Sequence, residues 1–235
     1  MTVHDHRIVI VGGTSGIGLA TAKLFANQGA SVTVIGRDAA KLEEAVQTIG
    51  GDVNGEAADA SDRRNMEAVF GRLRSFDHLV LAASGGGGAG PFAELDVELL
   101  RRGFEAKFWV QWNTAQAALP FLARDGSITF VTAASSRLAN PGTSGLAAIN
   151  GALERRVPTL ARELTPRRIN AVSPGVIETA WWVGKPAGMF ESASERAPLG
   201  RAGQPEEVAD AIAFVVRNRF VTGIVLGVDG GLHLT

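Results

Sequence analysis

The sequence predicts an α/β fold: one domain built on a doubly wound parallel sheet of about seven strands, with helices on both faces. Three observations predict it. Short β-branched, apolar runs recur at intervals of roughly thirty residues. The longer segments between them carry apolar residues at helical spacing. No linker or low-complexity tract beyond Gly85–Gly88 interrupts the alternation, and 235 residues suit one such domain. Strands separated by helices are βαβ units, which close a parallel sheet covered on both sides.

The elements follow in order. "RIVIVGG" (7–13) is a buried strand that ends in glycine, and "GLATAKLFANQG" (18–29) is a helix with a glycine stop. "SVTVIG" (31–36) is the second strand, after which Asp38 caps the helix "AAKLEEAVQTI". "DVNGEAAD" holds a short third strand, "RNMEAVFGRL" a helix, and "DHLVLAA" (77–83) the fourth strand. A long helical region covers 95–123, followed by a fifth strand at 126–134 and a helix at 144–164. Pro158 should kink that helix, because proline removes a backbone donor. "RINAVSP", "PEEVADAIAFVV" and "GIVLGVDGG" supply the sixth strand, a helix and the last strand.

Composition narrows the function. A net charge of −1 gives no general attraction to nucleic acid or an anionic membrane, and pairs such as Arg63-Arg64 and Arg167-Arg168 read as solvated helix ends. Without cysteine there are no disulfides and no thiolate metal sites. His4, His6, His78 and His233 show no ligand-like spacing; His4 and His6 read as a loose terminus, and no metal is expected. The start has no signal-peptide pattern and no apolar run is long enough to span a membrane, so a cytoplasmic protein is expected.

In sheets of this kind ligands bind beyond the carboxyl ends of the strands. "VGGTSGIG" places Gly12, Gly16 and Gly18 directly after the first strand. Glycine permits the tight turn and lets backbone N–H groups approach a pyrophosphate, and the next helix offers its positive end. At the end of the second strand, where an NAD site usually has a carboxylate, stand Gly36 and Arg37. A guanidinium there suits a ribose 2′-phosphate, so NADP(H) is favoured over NAD(H), with Asp38 assigned to helix capping.

The chain resembles the short-chain dehydrogenase/reductases over essentially its whole length, and so the Rossmann fold. "VGGTSGIG" is similar to the family's T-G-x-x-x-G-I-G, with Val11 for threonine; Thr14, Ser15 and Ile17 complete the phosphate turn. "ADASD" resembles the segment after strand three, which implies Asp59 on the adenine amino group and a backbone contact from Ala60. Ala82, Ala83 and Ser84 occupy the cofactor-lining stretch after strand four. "NAVSPGVIET" resembles N-x-v-x-P-G-x-x-x-T, which implies Pro174, Gly175, Ile177 and Thr179 around the nicotinamide. The resemblance implies hydride transfer between NADP(H) and a carbonyl or alcohol, and a homodimer or homotetramer.

The catalytic half departs from the family. Its N-N-A-G reads Leu81-Ala82-Ala83-Ser84, so two bracing asparagines are missing, and the flexible Gly85–Gly88 run takes their place or gives room near the cofactor. Leu146 stands at the tyrosine, Asn150 at the lysine, Ala133 at the serine and Lys107 at the asparagine. The chain contains no tyrosine at all, so the family's proton donor cannot exist here. Lys107 and Asn150 look like an exchange: one amine and one amide kept, each from the other helix. Lys107 then reaches the ribose or the substrate oxygen, and Asn150 holds the ribose hydroxyls; a buried lysine can donate a proton near neutral pH. Ser135, Ser136, Arg137 and Ser144 are further candidate donors, each also readable as a loop or capping residue, and Glu178, beside Thr179, reads as a surface residue that could face the substrate. Trp109 and Trp112 share one helix face, and Trp181 and Trp182 begin a cap at 180–200 that should be mobile and line an apolar pocket.

These residues suit an NADP(H)-dependent oxidoreductase with a rebuilt proton relay, acting on a small carbonyl, imine or activated alkene. The alternative is a non-catalytic NADP(H)-binding sensor or subunit that kept the fold. A redox-neutral elimination or cyclisation in the same pocket is a third reading.

Overall fold

The computed structural model describes residues 3–235. In chain order the first half holds β1 (Arg7–Val11), α1 (Gly16–Asn27), β2 (Ser31–Gly36), α2 (Ala39–Ile49), β3 (Val53–Ala57), α3 (Arg63–Leu73) and β4 (Phe76–Leu81). Then come α4 (Val97–Gly103), a π-helical turn at Phe104–Trp109, α5 (Val110–Ala118), β5 (Leu122–Val131), α6 (Ser144–Arg155) and α7 (Val157–Glu163). The chain finishes with β6 (Arg168–Pro174), α8 (Met189–Glu195), α9 (Pro205–Arg217) and β7 (Val225–Val228).

All seven strands run parallel in the order β3-β2-β1-β4-β5-β6-β7. The order reverses between β1 and β4, which opens a crevice at their carboxyl ends. Central strands are buried on both faces, so residues 8–11 and 79–81 read as unbroken apolar runs, and every residue of β6 is buried, its Arg168, Asn170 and Ser173 included. One face packs Met66, Phe70, Ala115 and Val157 from α3, α5 and α7 against Leu79, Phe130 and Ile169. The other packs Phe25, Leu42, Ile212 and Val216 from α1, α2 and α9 against Ile10, Val34 and Val172. No helix among the described residues is long and apolar enough to cross a membrane.

The helix expected over 95–123 is not continuous. A π-helical turn inserts between α4 and α5 and carries Lys107; such turns add one residue per turn and rotate the side chains that follow. The fifth strand begins four residues earlier than expected, at Leu122, across a register shift between Phe76 and His78 on the neighbouring strand. Gly126 lies in that irregular stretch, where a Cβ would meet the Asp77 carbonyl at 2.2 Å. The helix over 144–164 breaks between α6 and α7, with Pro158 in the first turn of α7, as its missing N–H requires.

Two readings of charged and terminal residues are corrected. Arg167 and Arg168 are not solvated helix ends. Arg168 is buried, and its guanidinium donates to the carbonyls of Val215 and Val216 in the last turn of α9 and of Asn218 and Val221 just beyond it. Arg167 donates to the carbonyls of Leu119, Leu122 and Ala123 in the same way. His6 is not loose: its Nδ1 lies 3.0 Å from Nε2 of His78, whose Nδ1 lies 2.9 Å from the Ser127 hydroxyl. Burial, then the His6 and Arg168 charges, push the buried His78 imidazole down to about 3.

Candidate functional site

The turn after β1 is shaped by close approach. Gly12 has φ +83°, and a Cβ on it would lie 2.5 Å from the Ala83 nitrogen; one on Gly18 would lie 2.1 Å from the Gly12 carbonyl oxygen. The turn therefore cannot carry side chains at these positions. It ends at Ser15, the N-cap of α1, whose side chain makes no capping bond, and the first turn of α1 holds no acidic residue. By contrast, Asp38 and Asp62 cap α2 and α3 with their carboxylates. The amino end of α1 keeps its N–H groups and partial positive charge for an anion, which fits a pyrophosphate.

The groups expected around that anion gather at the same edge. Thr14 packs its methyl against Gly36 at the end of β2, where a Cβ would meet it at 2.6 Å. Arg37 is exposed, and the Asp38 carboxylate accepts from the N–H groups of Ala40 and Lys41, which turns it toward α2. Asp59 follows β3; the N–H and hydroxyl of Ser61, with the Arg37 charge, hold its carboxyl below the usual carboxylate range. Ala60 is buried beside it. From β6, Pro174 is buried, and Gly175 passes so close to Asp229 that a Cβ would lie 2.7 Å from its Cα. Ile177 is buried, and Thr179 lies across the glycine turn, its Cγ2 3.2 Å from where a Gly16 Cβ would be. Ile17, next to Gly16, packs partly buried at the start of α1.

A side chain that the sequence reading overlooked braces this end of the sheet. Gln111, fully buried on α5, donates its amide to the carbonyls of Ala83 at 3.2 Å and Val131 at 3.0 Å, which ties the ends of β4 and β5 together. Ala82 adds a backbone bond to Val11, and Ser84 is exposed beyond it. Gly85–Gly88 is not simply slack: Cβ atoms on Gly85 and Gly87 would come within 2.3 Å of Ala106 and 2.8 Å of the Leu99 carbonyl. The run lets the chain pass close against α4 and the π turn.

Lys107 points inward. It is 7 % exposed and its amine donates to the Thr132 carbonyl at 3.1 Å, just past the end of β5. Burial lowers it to about 8, with the Glu154 charge opposing. Asn150 is buried on α6 and donates to the Ser135 hydroxyl at 3.1 Å and to the Leu146 carbonyl at 2.9 Å, while its Oδ1 is buried with no protein partner. Lys107, Asn150 and Ser135 thus gather around the end of β5, with no direct bond between amine and amide. Glu154, one turn after Asn150, was also overlooked. Its Oε1 accepts from the hydroxyls of Thr132 at 2.8 Å and Ser173 at 2.7 Å, and Oε2 lies 3.8 Å from Nε of Arg137. The four-residue spacing on one helix face was the available signal.

Ser136 bonds back to Ala133, and Glu178 is exposed and takes the Gln204 amide, so both are structural. Trp112 and Phe108 flank the Arg156 guanidinium at 5.4 and 5.5 Å, and Trp109 is half-exposed. In the cap, Trp182 bonds the Ile177 carbonyl and packs on Phe190, whereas Trp181 is exposed under the Lys185 ammonium. The cap is clamped at its base by a bridge between Ile177 and Gly203 and by the Glu178–Gln204 bond. No group of three or more His, Asp or Glu side chains among the described residues is placed to hold a metal.

Residues 11–233 match the family model described as enoyl-(acyl carrier protein) reductase. The chain is 34% identical to 3-oxoacyl-(acyl-carrier-protein) reductase FabG of Thermotoga maritima, covering 99% of each. It is 32% identical to cis-4-hydroxycyclohexanecarboxylate dehydrogenase of Sinomonas cyclohexanicum, covering 95% of this chain and 94% of that one. Among solved structures, it is similar to a small-chain dehydrogenase in complex with NADPH, with TM-score 0.84, 32% identity, and 98% and 100% of the two chains covered. A short chain dehydrogenase/reductase family protein gives TM-score 0.90 at 32% identity, with both chains fully covered. The chain belongs to the short-chain dehydrogenase/reductase family of oxidoreductases.

Proposed function

We propose that the protein is an NADP(H)-dependent oxidoreductase that acts on a small carbonyl, imine or activated alkene through a non-standard active site. The observation that carries this reading is the open amino end of α1, a helix start without a side-chain cap behind a turn that only glycine can form. Thr14, Ser15, Gly16, Ile17 and Gly18 would hold the pyrophosphate there, with Gly12 shaping the turn. Arg37 would take the 2′-phosphate, with Asp38 occupied on α2; the similar structure solved with NADPH supports that choice. Asp59 and Ala60 would hold the adenine, with Ala82, Ala83 and Ser84 along the dinucleotide and Pro174, Gly175, Ile177 and Thr179 around the nicotinamide. When bound, the nicotinamide supplies or accepts the hydride.

The chain's own residues handle position and protons. Lys107, an amine titrating near neutral pH, gives a proton to the electron-rich oxygen, nitrogen or carbon of a reduced substrate and regains one from water. Asn150 offers its partnerless Oδ1 to the ribose hydroxyls, and Ser135 holds its amide in place. With no tyrosine to donate, the site suits substrates that need weak acid catalysis. An iminium ion, which needs no proton when it gains hydride, is the limiting case. Trp182, at the start of the cap and packed on Phe190, would give an apolar wall, Trp181 being exposed under Lys185, and a homodimer or homotetramer is the expected assembly.

A titration of tryptophan fluorescence with NADPH and NADH tests the reading. Micromolar binding of NADPH and much weaker binding of NADH is expected; binding of neither overturns it. With a substrate in hand, Lys107→Ala should lower kcat by about a hundredfold or more while NADPH still binds. Tight NADPH binding with no hydride transfer to any imine, enone or carbonyl would favour the sensor reading instead.

A further inference from the structure

Glu154 has no part in the scheme above, and its surroundings are built. It is 8 % exposed on α6, and one carboxylate oxygen accepts two hydroxyl bonds, from Thr132 on the β5 side and Ser173 on β6. The same Thr132 presents its carbonyl to the Lys107 amine. One residue therefore links amine and carboxylate: its main chain holds the first and its side chain the second. A lysine amine enclosed by protein tends to shed its proton, because burial disfavours the charged form. Among the described groups, the Glu154 carboxylate is the one charge that opposes this at Lys107. Arg137, half-exposed, meets the cluster only through the other Glu154 oxygen, at 3.8 Å. Asn150, from the same helix as Glu154, is neutral and turned to Ser135.

We propose that Glu154 is a positioning residue for Lys107: it keeps the buried amine charged and, through Thr132, fixed at the end of β5, so that a proton is available where the family's tyrosine is missing. This rests on the reading of Lys107 as the working amine. The carboxylate takes no proton from substrate and touches no reacting atom. Its role is to make an interior ammonium tolerable, an arrangement that an exchange of lysine between helices makes necessary. The two hydroxyls hold the Glu154 carboxylate between the end of β5 and β6.

The chain has only four lysines, Lys23, Lys41, Lys107 and Lys185, so each Cε signal of ¹³C-labelled lysine can be followed by NMR against pH. In the parent the Lys107 midpoint is expected at about 8. Glu154→Gln keeps the shape and a hydroxyl acceptor but removes the charge, and should lower that midpoint by about one pH unit or more, a tenfold change. Glu154→Asp should lower it less. The high-pH limb of the rate profile should move with it. An unmoved midpoint in folded Glu154→Gln overturns the proposal. The two readings fail separately. If Lys107→Ala leaves hydride transfer untouched, Lys107 is not the working amine; if it abolishes transfer while the Lys107 midpoint ignores Glu154→Gln, only the role of Glu154 falls.

Discussion

Replacing Gln111 by methionine should loosen the cofactor edge of the sheet. The parent side chain is fully buried and joins the carbonyls of Ala83 and Val131. Methionine keeps the length and fills the space but donates nothing. Each buried hydrogen bond lost costs about 1–1.5 kcal/mol net. The Gln111 Oε1 is itself buried without a partner, so its removal returns part of that loss. The balance is about 2 kcal/mol of destabilisation, or a fall of about 4–8 °C in Tm for a chain of this size. Urea unfolding read by tryptophan fluorescence measures it, with an unchanged m-value as the sign that the folded state alone is affected. NADPH affinity should weaken in parallel, because the Ala83 nitrogen lies against the Gly12 turn. A Gln111→Met protein as stable as its parent would refute the view that this amide braces the ends of β4 and β5.

Acid should destabilise the fold through His78, whose folded value of about 3 lies below the unfolded 6.5. The unfolded chain binds the extra proton between those limits, so stability is full above pH 6.5 and falls as pH drops, by about 3 kcal/mol at pH 4; His78→Phe should flatten that slope in urea titrations at several pH values, and an equal slope would count against it. Arg37→Glu should cut NADPH affinity by roughly tenfold or more and leave NADH binding nearly unchanged, as fluorescence titration would show. Gly12→Ala should abolish binding of both nucleotides, because its Cβ has no room beside the Ala83 backbone; micromolar binding by a folded variant would mean the turn is not the site.

The parts of this molecule legible in the sequence are those set by local pattern. β1 is buried beyond Arg7 and reads as an apolar run, Asp38 shows itself as a cap, and Pro158 marks the break between α6 and α7. What stayed hidden depends on contacts between distant segments. Arg168 looks like any surface cation until the end of α9 supplies its carbonyls, some fifty residues on. His6 finds His78 72 positions away. Gln111 and Glu154 are ordinary helical polar residues until β4, β5 and β6 bring carbonyls and hydroxyls to them. The π turn was invisible for another reason: one extra residue barely disturbs a helical apolar pattern, yet it decides which way Lys107 faces.

The clamp at the foot of the cap has an evolutionary consequence. Because Ile177 and Gly203 are bridged, and Glu178 and Gln204 bonded, the chain leaves β6 and enters α9 at one point. The exposed stretch around 183–189 can change in length and sequence with little effect on β6, α9 or the glycine turn, whereas Thr179 at the turn and the segment 197–201, tied to Gly230 and Glu207, are held. Loops closed at the base tolerate such change at little thermodynamic cost. Trp181 and its exposed neighbours are thus where substrate preference could be rewritten while the glycine turn stays unchanged.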